Sequence, residues 1–200
     1  MPLNLKKQFL AVPFIKNLPQ AKQAELYTYF LKNLSLKLHK FYKGKIKSSV
    51  KVPLNDKDLF DLWYTPGVSA VSLEIKKDSQ NSFLYTGRAN RVAIVSDSTR
   101  VLGDGDCGAS GGLGVMEGKA LLMNHLGGLE AVPLCLDNRD ELGRKSVKKL
   151  IDFVMMLAPS FGAINLEDIS QPNCFLALED LRKNCPIPVW HDDAQGTACI

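Results

Sequence analysis

Arg91-Val-Ala-Ile-Val-Ser-Asp97 is a short run of small and β-branched residues that finishes on a carboxylate, and the pattern recurs down the chain. Ala131-Val-Pro-Leu-Cys-Leu-Asp137, Ala163-Ile-Asn-Leu-Glu-Asp168 and Ile187-Pro-Val-Trp-His-Asp-Asp193 repeat it. Near-continuous apolar runs of this length suit strands covered on both faces. Between them, residues 115–126, 144–157 and 172–184 carry apolar side chains at helical spacing. Strand, helix, strand at such intervals predicts an α/β fold, a parallel sheet with flanking helices.

Upstream the pattern is purely helical. Leu26, Tyr29, Phe30, Leu34 and Leu38 share one face of a helix expected over residues 19–39, with Pro19 suited to its first turn and Gly44 beyond its end. Shorter helices are expected over residues 56–63 and 69–77. The chain therefore divides into an N-terminal helical arm, residues 1–52, and an α/β domain, residues 53–200. The arm suits a packing or dimer element.

Composition narrows the class. Hydrophobic residues make up 46% and charged residues 23%, which fits a globular protein and excludes a disordered chain. No segment approaches the roughly 18 apolar residues of a membrane span. Pro13, Lys16 and Pro19 interrupt any signal-peptide core, so a cytoplasmic protein is expected. Cysteines at 107, 135, 174, 185 and 199 are odd in number and lack the close pairs of zinc or redox motifs, which points to reduced thiols. The net charge of +4 owes much to Lys37, Lys40, Lys43, Lys45, Lys47 and Lys51. No groove-reading motif or aromatic ladder accompanies them, so they read as a solvated face and no nucleic-acid partner is expected.

The strand ends carry the chemistry. In an open parallel sheet the carboxyl ends of the strands line one edge, where ligands bind. Single acids such as Asp97 and Asp137 are ordinary there, as solvated ends or caps. The pairs Glu167-Asp168 and Asp192-Asp193 are different, because like charges brought together must share a cation or a proton. Oxygen donors alone suit Mg²⁺ or Mn²⁺. Gly103-Asp-Gly-Asp-Cys-Gly108 imitates a dinucleotide-binding pattern, but Asp104 and Asp106 would repel a pyrophosphate. It reads as a tight loop entering the next helix.

Several motifs agree in order and spacing: Tyr64-Thr-Pro-Gly67, Val95-Ser-Asp97, Val101-Leu-Gly103, Val115-Met-Glu-Gly-Lys119, Pro159-Ser-Phe-Gly162, Ile164-Asn-Leu-Glu-Asp-Ile169, and His191-Asp-Asp193 before Gln195-Gly-Thr-Ala198. Together they resemble the N-terminal domain of malic enzymes, most nearly the small bacterial type. The resemblance implies oxidative decarboxylation of L-malate to pyruvate and CO₂ with NAD or NADP and a divalent metal. It implies that Glu167, Asp168 and Asp193 bind the metal, that Lys119 is the general base paired with Asp192, and that Tyr64 is the general acid. Arg100 lies where larger members place an arginine for the substrate carboxylate. A homodimer is implied by resemblance alone.

Read singly, Tyr64 is amphipathic packing beside Trp63, Lys119 a snorkelling surface lysine and His191 a structural histidine. Three positions depart from the family pattern: Asp104 for the usual leucine, Ser98 for glycine, and Ala194 for a larger residue. The chain stops at Ile200, where the family begins its dinucleotide-binding Rossmann domain. The residues that choose between NAD and NADP are therefore expected elsewhere, and turnover by this chain alone is not expected. Two other readings stand beside this one. A phospho-receiver-like module also gathers acids around Mg²⁺, but needs a lysine at its last strand end. A silent dimerisation domain would rest on the arm instead.

Overall fold

A computed structural model describes residues 4–197. The chain divides into two compact units, one ending at Lys45 and the other beginning at Ile46. The first contains helices α1 (Leu5–Leu10), α2 (Pro13–Lys16) and α3 (Gln20–Tyr42). Pro19 stands immediately before α3, where its missing N–H costs nothing, and Lys43 closes the helix in the left-handed conformation. The Phe9 ring packs 5.1 Å from those of Tyr27 and Phe30, which ties α1 to α3. Lys37, Lys40, Lys43, Lys47 and Lys51 are exposed, Lys45 is half-buried, and Lys51 pairs with Glu130.

The second unit begins with α4 (Asp58–Trp63), α5 (Val68–Lys77) and α6 (Asn81–Tyr85). It continues as β1 (Arg91–Ser96), α7 (Leu113–Gly127), β2 (Glu130–Cys135), α8 (Val147–Leu157), β3 (Ala163–Leu166), α9 (Asn173–Asn184) and β4 (Val189–His191). The four strands form one sheet in the order β2-β1-β3-β4, and every pairing is parallel. The predicted α/β architecture is observed.

Alternation along the strands explains the helical layers. Ala93 and Val95 of β1, with Ile164 and Leu166 of β3, face Leu150 and Val154 of α8 and Ala177 and Leu181 of α9. The latter two pairs are spaced i, i+4, so each helix lays one stripe on the sheet. Ile94 points the other way and packs beneath Met116 and Ala120 of α7. The sheet is thus covered on both faces, and its central strands β1 and β3 are almost wholly buried.

Departures from the expected elements are local. α8 starts at Val147 rather than at 144, because Lys145 pairs with Arg139 in a β-bridge and Ser146 caps the helix by accepting from the Lys149 N–H. Helices α1, α2 and α6 carry no periodic signal in the sequence; they are four to six residues long and bury almost no side chains. Cys107, Cys135, Cys174 and Cys185 are free thiols, and Cys199 lies outside the described residues. Among the described residues, no helix is long and apolar enough to cross a membrane.

Leu150 is fully buried where α8 meets the sheet, whereas Leu142 is 76% exposed. Leu150→Ala is expected to cost about 2–5 kcal/mol in denaturant unfolding, and Leu142→Ala less than about 0.5 kcal/mol. Equal effects would contradict this placement of the core.

Candidate functional site

The carboxyl ends of β1, β3 and β4 lie side by side, and the sequence delivers an acid from each. The structure sorts those acids into two kinds. Asp97 is fully buried and already satisfied: Oδ1 accepts from the Thr99 N–H at 3.2 Å and the Thr99 hydroxyl at 2.6 Å, and Oδ2 accepts from the Asn138 amide at 2.9 Å. Thr99 Oγ1 in turn accepts from the Ser170 N–H at 2.8 Å. Asp97 therefore braces the loop after β1 against the loop after β3. Asp137 is exposed and pairs with Arg139 at 3.0 Å. Neither belongs to the acid cluster; Asp137 is the solvated strand end expected, whereas Asp97 is buried and bonded rather than solvated.

Glu167, Asp168 and Asp193 do form a cluster. One carboxylate oxygen from each lies within 4.8 Å of the others. Two oxygens on opposite sides of one ion bound at ~2.1 Å lie about 4.2 Å apart, so a small closure completes a binding shell. Asp168 Oδ2 is buried and has no partner among the described residues. A buried carboxylate oxygen without a donor is costly unless a cation serves it. The donor set fits a hard divalent ion such as Mg²⁺ or Mn²⁺.

Backbone geometry brings the first two acids together. A continued strand would send Asp168 to the opposite face from Glu167. The chain instead turns at Asp168, whose φ of 53° lies in the left-handed region that Asp tolerates better than most residues. Two bonds hold that turn: the Arg100 N–H donates to the Asp168 carbonyl at 3.1 Å, and the Asp168 N–H donates to Asp193 Oδ2 at 3.0 Å. Asp192 and Asp193 open a single π-helical turn after β4.

Lys119 reaches this edge from α7. Its Nζ lies 2.6 Å from Asp192 Oδ2 and 3.1 Å from Glu167 Oε1. Burial depresses its pKa, but the bonds and charges of Asp192 and Glu167 outweigh that and hold it above the ordinary lysine value. Burial drives the Glu167 carboxyl up to about 7, against the opposing bonds from Asn165 and Lys119. Asp168 is raised to about 6 by burial first and then by the charge of Asp193, partly offset by the Leu102 N–H. The edge is rich in negative charge held together by one ammonium group.

Of the predicted site residues, the structure unites Lys119, Glu167, Asp168, Asp192 and Asp193. Arg100 contributes its backbone N–H, and its side chain is exposed. Tyr64 ends α4 with a side chain 72% exposed and makes no hydrogen bond to the cluster. The turn behind it is tight: the Gly67 N–H donates to the Asp61 carbonyl at 2.8 Å, and a Cβ at Gly67 would stand 2.4 Å from the Leu62 carbonyl. His191 is buried and accepts from the Ala194 N–H at Nδ1, a cap rather than a ligand. Residues 103–108 form a loop before α7, with Gly105 and Gly108 at positive φ.

Ser98 has a φ of 57°, which explains why glycine suits that position, and its hydroxyl donates to the Ala109 carbonyl at 2.8 Å. Sequence reasoning missed Asn165, Thr99 and Asn138 as site-shaping residues. Asn165 alone left a signal, as the one polar residue inside the apolar run of β3.

The sequence profile described as the malic enzyme N-terminal domain matches residues 43–182. The chain belongs to the malic enzyme family. It is similar to the crystal structure of Entamoeba histolytica malic enzyme, with a TM-score of 0.89 and 54% identity over 91% of this chain and 37% of that one. It resembles the NAD-dependent malic enzyme of Thermotoga maritima with a TM-score of 0.76 and 45% identity, over 82% of this chain and 42% of the other. The bifunctional malic/malolactic enzyme of Bacillus subtilis is 44% identical over 171 residues, 85% of this chain and 40% of that protein. The chain thus spans less than half the length of each of these relatives. Relatives named for NAD and for NADP both occur. Family membership decides against the receiver-like reading, and Lys119 lies on a helix rather than at a strand end.

The Thr99 hydroxyl joins Asp97 to Ser170, and Thr99 is 4% exposed. Thr99→Val keeps the shape but leaves the Ser170 N–H without its acceptor and Asp97 Oδ1 with the Thr99 backbone N–H alone, so it is expected to cost about 1–3 kcal/mol in chemical unfolding. A neutral result would mean that this bridge does not brace the site.

Proposed function

We propose that this chain is the metal- and substrate-binding half of a malic enzyme, which oxidises and decarboxylates L-malate to pyruvate and CO₂. The observation that carries the reading is the convergence of Glu167, Asp168 and Asp193 with a buried Asp168 oxygen that no other group serves among the described residues. Those three residues would hold Mg²⁺ or Mn²⁺. The ion would polarise the substrate oxygen and neutralise the carboxylate charge that now holds the Lys119 proton, while NAD or NADP would accept the hydride.

The chain's own groups supply the proton handling. Lys119 takes the proton of the substrate hydroxyl at Nζ, and the 2.6 Å bond to Asp192 is the path by which that nitrogen is first freed of its own proton. Tyr64 gives a proton to the carbon left by CO₂, a role supported by the family motif and by the fixed turn behind it. Arg100 would meet a substrate carboxylate from the loop that caps Asp168. Neighbouring Asp104, also exposed, would weaken an anion's approach along that loop. The same family reading extends to a cytoplasmic homodimer with an N-terminal arm, and to NAD or NADP as the cofactor.

Calorimetric titration with Mn²⁺, with and without L-malate, tests the site. Metal and acid sharing one site must tighten each other's binding. Asp168→Asn, folded as judged by circular dichroism, is expected to weaken Mn²⁺ by more than about tenfold. Unchanged Mn²⁺ binding in that variant would refute the assignment.

A further inference from the structure

Asn165 is an anomaly of the core. It sits in β3 in register with Ile94, on the face covered by α7, and is fully buried among apolar neighbours. Its amide nitrogen donates to Glu167 Oε2 at 2.6 Å, while its own Oδ1 is buried and meets no donor among the described residues. A half-satisfied amide in a sheet interior lowers stability relative to an apolar side chain of similar shape. Stability therefore does not explain its presence.

The bond it makes does. Glu167 has two oxygens, and Lys119 engages Oε1 at 3.1 Å. The Asn165 bond to Oε2 restrains rotation of the carboxylate and directs Oε1 toward Lys119. The donor is two residues before its acceptor, which follows β3 directly and still bonds β1 through the Glu167 N–H to the Val95 carbonyl at 2.9 Å, so alternation puts both on one face. We propose that Asn165 is a positioning residue that orients Glu167 for cation binding, and that it is retained at a cost in stability. This rests on the metal-site reading given above.

The two explanations of Asn165 predict opposite results in Asn165→Val, which removes the donor and suits a buried strand. Thermal unfolding and Mn²⁺ calorimetry of the 200-residue chain, with Asp168→Asn as a control, separate them. The expected outcome is a melting temperature equal to or above that of the unaltered chain, with Mn²⁺ affinity lowered by about 10–100-fold. A lowered melting temperature with unchanged affinity would make Asn165 structural and overturn the proposal. If Asn165→Val does not fold, Asn165→Ala gives the same affinity readout: a comparable loss supports the proposal, and unchanged affinity overturns it. An unaltered chain that takes up no Mn²⁺ overturns the site reading and this proposal together. Metal binding lost in Asp168→Asn but intact in both Asn165 variants overturns this proposal alone.

Discussion

One ammonium group stands between carboxylates that would otherwise repel. Lys119 contacts Glu167 and Asp192, from two different strands, and so couples the ends of β3 and β4 through a side chain of α7. Its 23% exposure leaves it only lightly screened by solvent. The rest of the site follows from that constraint. With Asp192 paired to Lys119, the adjacent Asp193 is the member of its pair left to bond the Asp168 N–H and face the Glu167–Asp168 pair. Two adjacent acids thus serve two purposes because only one of them meets the lysine.

The scaffold beneath explains why this edge holds its shape. β1 and β3 are sealed between helical layers, and the loops leaving them are stitched by Asp97, Thr99 and Ser170. That stitch makes Asp97 as important as the cluster acids while keeping it out of the cluster. Its oxygens are already occupied by three donors, whereas Asp168 Oδ2 is buried without a partner among the described residues.

Much of this is legible in the residues. The apolar runs ending at Asp97, Asp137, Asp168 and Asp193 mark four strands, because strands covered on both faces need continuous Val, Ile and Leu. The doubled acids mark the cluster, because repulsion makes such pairs costly without a cation. What the residues do not show is the sorting. Asp192 and Asp193 look alike in sequence, and only the Lys119 bond to the first and the Asp168 N–H bond to the second distinguish them. Asn165 passes as a polar interruption, since periodicity says nothing about which carboxylate an amide will meet. The short helices α1, α2 and α6 leave no signal because they bury too little to impose a stripe. Tyr64 and Arg100 are marked by family motif, and neither side chain bonds the cluster in this chain.

Anomalous diffraction from crystals of the chain soaked in Mn²⁺ locates the ion itself. If Glu167, Asp168 and Asp193 form the metal site, a single strong manganese peak is ligated by their oxygens, with Lys119 still on Asp192. A well-diffracting crystal with no peak there, or with manganese at Asp97 or Asp137 instead, would contradict that assignment.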